Sequence, residues 1–95
     1  MQISVIVEEN IKEGQKDAYI AHMSEMIRLT KEEDGCIAYD LYESIDGSGE
    51  IVMVELWESK EALDAHIQSD HFKELVPAAE VFQEEPPKIR VFSIL

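Results

Sequence analysis

The chain has 95 residues and no Pro-, Gly- or Ser-rich stretch long enough to separate two cores, so residues 1–95 read as one small domain. Hydrophobic residues make up 45% and charged residues 31%, a globular composition that argues against disorder. A formal net charge of −13 repels nucleic-acid phosphates and anionic lipid, so neither nucleic acid nor a membrane is an expected partner. The scattered carboxylates lack the spacing of a metal site and read as a solvated surface.

One cysteine, Cys36, cannot form an intrachain disulfide, and the N-terminal residues lack the basic-then-apolar pattern of a secretory signal. The expected compartment is the cytoplasm. No apolar run approaches the roughly 20 residues that span a bilayer.

From Gln2 to Glu8, Ile3, Val5 and Val7 alternate with Ser4, Ile6 and Glu8, which predicts a first strand. From about Gly14 the period changes. Tyr19, His22, Met23, Met26, Ile27 and Thr30 follow helical spacing, with Lys16, Asp17, Ser24, Glu25, Arg28 and Lys31 on the opposite side. Asp34-Gly35 supplies the flexible residue at which such helices end. Cys36 to Glu43 and Ile51 to Glu58 are β-rich runs, joined by Asp46-Gly47-Ser48-Gly49 as an antiparallel hairpin.

Ser59 is placed to cap a second helix whose inward stripe is Ala62, Leu63, His66 and Ile67. After a break at Ser69-Asp70, Phe72, Leu75, Val76 and Ala79 continue a helical stripe that Pro77 interrupts, giving two or three short pieces. Glu85-Pro86-Pro87 restores an extended chain, and Ile89 to Leu95 reads as a last strand. The order β-α-β-β-α-β predicts an α+β, ferredoxin-like fold with a four-stranded antiparallel sheet.

Helices on one side of such a sheet leave the other side bare. Yet Val52, Val54 and Leu56 oppose Ile51, Met53 and Trp57, so both sides carry bulky apolar groups. A second copy packed sheet to sheet is the simplest cover, and a homodimer is expected.

Chemistry concentrates where Glu55-Leu56-Trp57-Glu58-Ser59 is followed by His66 and Ser69-Asp70-His71-Phe72. This strand-to-helix corner holds the single Trp and two of the three His, suited to an aromatic ligand and a proton. His71 lies in a first helical turn, where the helix dipole disfavours imidazolium, and is the favoured base. His66, on a buried stripe, is the second candidate, with a core histidine bonded to a backbone carbonyl as the alternative. Glu55 shares a strand face with Ile51, Met53 and Trp57. A carboxylate there either carries a raised pKa or is anchored by a donor such as Tyr, His or Arg90, and supports the site from behind. Tyr39, on one strand face with Ile37 and Leu41, is favoured over Tyr42 as a cavity residue. His22, Met23 and Phe72 complete the substrate-binding candidates, although each also suits the core. The histidines lack His-x-x-x-His spacing and Cys36 lacks a Cys-x-x-Cys partner, so no metal is expected.

The segments Glu33-Asp34-Gly35-Cys36-Ile37-Ala38-Tyr39 and Glu55-Leu56-Trp57-Glu58-Ser59-Lys60-Glu61-Ala62-Leu63, then His66, Ser69, His71 and Phe72, resemble the antibiotic biosynthesis monooxygenase-like domains over nearly the whole chain. These are dimeric α+β barrels that include quinol monooxygenases. The resemblance implies oxygenation of a quinol or polyphenol by O₂ without metal, flavin or haem, Trp57 forming an aromatic wall and His71 or His66 taking the proton. Two alternatives stand beside this reading: isomerisation or breakdown of a small carbonyl metabolite, in which the same histidines shuttle protons between neighbouring carbons, or a non-catalytic stress-response dimer that binds small aromatics. Haem-degrading relatives place an iron-binding histidine a few residues beyond Phe72-Lys73; Leu75-Val76-Pro77 stands there instead.

Overall fold

The computed structural model describes residues 1–95. Strand β1 (Ile3–Glu9) leads to helix α1 (Lys16–Lys31), then β2 (Cys36–Glu43) and β3 (Ile51–Trp57). Helices α2 (Lys60–Ile67) and α3 (Asp70–Ala78) follow, with a 3₁₀ turn at Ala79–Phe82 and strand β4 (Lys88–Ser93). The sheet runs β2-β3-β1-β4 with every neighbouring pair antiparallel, the α+β, ferredoxin-like arrangement expected from the alternating patterns.

Side-chain period decides which residues meet the helices. Along β3, Ile51, Met53, Glu55 and Trp57 are buried, whereas Val52, Val54 and Leu56 are half-buried on the other face. Val5 and Tyr39 stand level with Glu55 in the register, so three strands present one row to the helices. Tyr19, Met23 and Met26 from α1 and Leu63 from α2 close over that row to make the core. The alternation fails once. A bulge between Cys36 and Ala38 leaves Ile37 without a cross-strand partner and nearly half exposed, so it does not share the inward face with Tyr39 and Leu41.

Local chemistry sets the element ends. Ser59 accepts from the Ala62 amide and Ser69 from the Phe72 amide, which caps α2 and α3 and turns the chain sharply between them. Pro77 sits one residue before the end of α3, so its missing amide falls where the helix tightens into the 3₁₀ turn rather than at a mid-helix kink. Helix α1 stops at Lys31, and Gly35 instead makes the turn into β2.

Gly35 has φ of 85°, and a Cβ there would lie 2.5 Å from the Ala62 Cβ on α2. Gly47, at φ 84° in the hairpin, meets nothing within 4 Å. Gly35→Ala should therefore cost about 3 kcal/mol in a denaturant melt, from backbone strain plus overpacking, and Gly47→Ala about 1 kcal/mol from strain alone. Equal losses would show that α2 does not press on the turn.

Candidate active site

The turn after α1 carries Glu33, and its Oε2 accepts from His66 Nδ1 and from His71 Nε2, each at 2.7 Å. One carboxylate oxygen thus joins the α1–β2 turn to α2 and α3. An ionised carboxylate only accepts, so both facing nitrogens carry protons. For His66 this fixes the tautomer: Nδ1 is the donor and, in the neutral ring, Nε2 keeps its lone pair. Burial pushes the His66 pKa below its ordinary value, outweighing the opposite pull of Glu33. The ring is therefore neutral at physiological pH, with a free acceptor.

Aromatic rings hold that imidazole in place. Trp57 lies against it at 4.7 Å between centroids, Phe72 meets it edge-on at 5.1 Å and Tyr39 at 5.4 Å. Trp57 is fully buried and donates from Nε1 to Glu55 Oε1 at 3.0 Å. The anchoring donor for Glu55 is thus the indole two residues on. Arg90 lies instead near Glu8 and over the Phe92 ring. Desolvation raises the Glu55 carboxyl to about 7, against which the Trp57 bond works only in part.

A cavity of about 160 Å³ lies between the sheet and the helices. Its walls are mostly apolar: Val5, Val7 and Met53 from the sheet, Met23, Leu63, Phe72 and Val76 from the helices. Its polar lining comprises Tyr39, Glu55 and His66, and Glu9, Tyr19 and Gln83, where Glu9 receives Gln83 Nε2–H at 3.2 Å. Pro87, Ile89 and Val91 line the side beside β4, where Ile89 and Val91 are exposed.

Of the residues singled out in the sequence, His66, Tyr39, Phe72, Met23 and Glu55 line this cavity. Trp57, His71 and His22 do not: Trp57 backs His66, His71 gives its Nε2 proton to Glu33, and His22 donates from Nε2 to the Leu75 carbonyl at 2.8 Å. Glu33 was not singled out, since it lies 33 and 38 residues from its two partners and no local pattern links them. Glu9 and Gln83 were missed for the same reason, 74 residues apart yet hydrogen-bonded at 3.2 Å.

Glu33, His66 and His71 place three ligand-type atoms within 4.8 Å of one another, an assembly that the spacing of the histidines does not reveal. At 2.7 Å the contacts are those of hydrogen bonds, each with its proton between nitrogen and oxygen. Cys36 offers no ready thiolate, because burial and neighbouring carboxylates push its thiol up to about 11.

Residues 2–78 match the family described as antibiotic biosynthesis monooxygenase. The chain belongs to this family. A relative in Mycobacterium tuberculosis, "Putative monooxygenase Rv0793", is 43% identical over 70 residues, covering 74% of this chain and 68% of the relative. Its solved structure superposes with a TM-score of 0.91 at 35% identity, covering 100% of this chain and 96% of that one. A conserved protein from Methanosarcina mazei Go1 reaches a TM-score of 0.92 at 28% identity, covering 97% of this chain and 91% of that one. The Synechocystis protein "Uncharacterized protein sll1783" is 30% identical over 92 residues; the match covers 95% of this chain but spans only 63% of that relative's length. Family membership therefore carries a monooxygenase-like role at the level of the family description. No helix is long and apolar enough to cross a membrane.

The buried Glu55 carboxyl gives the site a pH signature. Its pKa is raised in the fold from 4.5 to about 7, so the native state holds the proton that the unfolded chain releases. The stability it contributes is complete below about pH 4.5 and is lost as pH rises through about 7. His66, with its lowered pKa, acts in the opposite sense below its ordinary value. Glu55→Gln should remove the Glu55 part alone. Between pH 4 and pH 8 the variant should gain about 3 kcal/mol relative to wild type in urea titrations, and parallel curves would show that Glu55 titrates normally.

Proposed function

We propose that the protein oxygenates a quinol-like or polyphenolic aromatic with O₂ and without a cofactor, His66 acting as the base. The observation that carries this reading is the free Nε2 of a neutral, carboxylate-oriented imidazole in an apolar cavity. A substrate hydroxyl donates its proton to Nε2, and Glu33 stabilises the resulting imidazolium through Nδ1–H. The substrate anion transfers an electron to O₂ and the two radicals combine at a ring carbon that bears hydrogen. Loss of water leaves one oxygen atom in the product as a new carbon–oxygen bond and sends the other into that water. Apolar walls favour this step by keeping the anion poorly solvated, and hence a strong electron donor. His71 is a positioning residue here, a second donor that holds the Glu33 carboxylate.

The size of the cavity is consistent with such a substrate. An engineered protein cavity of about 150 Å³ accepts benzene, so a space of about 160 Å³ suits one aromatic ring, and it is bordered by the exposed Ile89 and Val91 of β4.

The test is oxygen uptake by metal-stripped protein with naphthohydroquinols and anthrones, corrected for autoxidation. His66→Ala should lower kcat/KM by about a hundredfold or more. His71→Ala should lose less, and Glu33→Gln should fall between them. Uptake at the autoxidation rate with every substrate, or unchanged turnover in His66→Ala, would overturn the assignment.

One observation favours a second reading. His66 and Glu55, a base and an acid that titrates near neutrality, line the same cavity, which suits proton transfer between neighbouring carbons of a carbonyl compound. Under that reading, solvent deuterium enters a carbonyl substrate without oxygen consumption.

We further propose that the chain works as a homodimer. Ile6, Val52, Val54, Leu56, Tyr42 and Phe92 lie on the sheet face that no helix covers, and all are exposed or half-buried. On the same face Asp40, Glu8 and Arg90 flank this apolar centre, and an apolar patch rimmed by polar groups is the usual mark of an interface. Sedimentation should give twice the chain mass at micromolar concentration, and Val54→Lys should give monomer. A wild type that sediments as a monomer would refute the sheet-to-sheet pairing.

A further inference from the structure

The oxygenation assigned above does not exhaust the chemistry of Glu33, His66 and His71. Glu33 Oε2, His66 Nδ1 and His71 Nε2 lie within 4.8 Å of one another. Two imidazoles and one carboxylate are the protein ligands of a zinc site that keeps one position open, and imidazole suits borderline divalent ions better than Mg²⁺ or Ca²⁺, which take oxygens. Access differs along the cluster. The side chains of Glu33 and His71 are 15% and 17% exposed and that of His66 only 2%. Neither Glu33 nor His71 lines the cavity, so an ion arriving from their side reaches the Nδ1 edge of His66 without crossing it.

In the metal-free protein each nitrogen holds a proton against the same oxygen. Metal–ligand bonds of about 2.1 Å set neighbouring ligand atoms about 3 to 3.4 Å apart. On coordination the two nitrogen–oxygen gaps of 2.7 Å widen by about half an ångström, and the nitrogens settle to the same spacing. The parts that move are the partly exposed ones: Glu33, in the turn between α1 and β2, and His71, in the first turn of α3. His66 stays packed among Trp57, Phe72 and Tyr39. A metal takes a lone pair, which Nδ1 of His66 lacks while it donates to Glu33. The neutral ring therefore moves its proton from Nδ1 to Nε2, with no net proton released from it. Nε2, which accepts in the metal-free protein, then donates.

We propose that Glu33, His66 and His71 bind a divalent transition ion of the Zn²⁺ class, and that this ion switches the site off by forcing the His66 ring proton onto Nε2, which reverses the hydrogen-bond polarity that the ring presents to the cavity. The loss of activity rests on the assignment of His66 as the proton acceptor; ion binding and the tautomer exchange do not. With Nε2 protonated, a substrate hydroxyl meets a donor where it needs an acceptor, and its proton has nowhere to go. The same carboxylate that orients the base for catalysis thus also supplies the means of disabling it.

Titration of the whole, metal-stripped protein with Zn²⁺ by calorimetry, and with Co²⁺ by its visible absorption, tests the site. Wild type should bind one ion per chain. His71→Ala and Glu33→Gln should each weaken binding about tenfold or more, with near-ultraviolet circular dichroism showing that both remain folded. Cys36→Ser should bind as wild type does, and Mg²⁺ at the same concentration should not compete. Nitrogen-15 spectra of histidine-labelled wild type, which need no variant, should show His66 Nε2 pass from a lone-pair nitrogen to a protonated one as Zn²⁺ is added. Oxygen uptake should fall with Zn²⁺ occupancy and return with a chelator. No binding, equal binding by wild type and both variants as scattered surface carboxylates would give, or a His66 Nε2 that keeps its lone pair in the Zn²⁺ complex would overturn the site. Uptake unchanged at saturating Zn²⁺ would overturn the switch. Background uptake alongside the tautomer exchange would instead remove the oxygenase assignment and leave the metal site standing.

Discussion

The Glu33 carboxylate is the constraint on which the site depends. Three segments that share no local sequence signal converge on one oxygen atom: the turn after α1, the end of α2 and the first turn of α3. Because both nitrogens donate to it, the tautomer of each ring is set by geometry rather than left to solvent. Charge-assisted hydrogen bonds of this kind are stronger than neutral ones, and removing the carboxylate strands a donor on the fully buried His66. The same contact orients the ring, sets its protonation and ties the helices to the sheet through the turn at Gly35.

Around that anchor the fold builds a divided environment. Trp57 and Phe72 exclude water from His66, which favours the neutral ring, and the indole supplies the one hydrogen bond that Glu55 makes. Two groups of opposite acid–base character are displaced from their ordinary pKa values by the same burial: His66 downward and Glu55 upward. Perturbation of this kind inside a cavity is how side chains handle protons near neutral pH, and here desolvation by packing is its largest cause, with Glu33 contributing to both.

Much of this was legible before any coordinates. Alternation in β1 and β3, the helical stripe of α1 and the serine caps at Ser59 and Ser69 each follow from local chemistry that the tertiary fold respects. Where reading by period failed, a specific device intervened. The bulge at Cys36/Ala38 inserted one residue and took Ile37 out of the inward row, although the β propensity of the strand stayed intact. Trp57 read as a cavity wall because a large aromatic at a strand end can face either a pocket or a neighbouring ring. Its burial behind His66 was decided by where α2 lies against β3.

The sequence by itself determined the order of elements, the inward faces of the strands, the caps, the family, and the gathering of His66, His71 and Trp57 near one corner. These depend on side-chain period and short-range hydrogen bonding, which act over a few residues. Only the tertiary structure decided that Glu33 bridges the two histidines, that His66 and not His71 lines the cavity, and that Glu9 and Gln83 bond to each other in its wall. Those outcomes depend on contacts between residues 33, 38 and 74 positions apart. Their geometry is set when helices settle on a twisted sheet, a many-body packing result that no local pattern encodes.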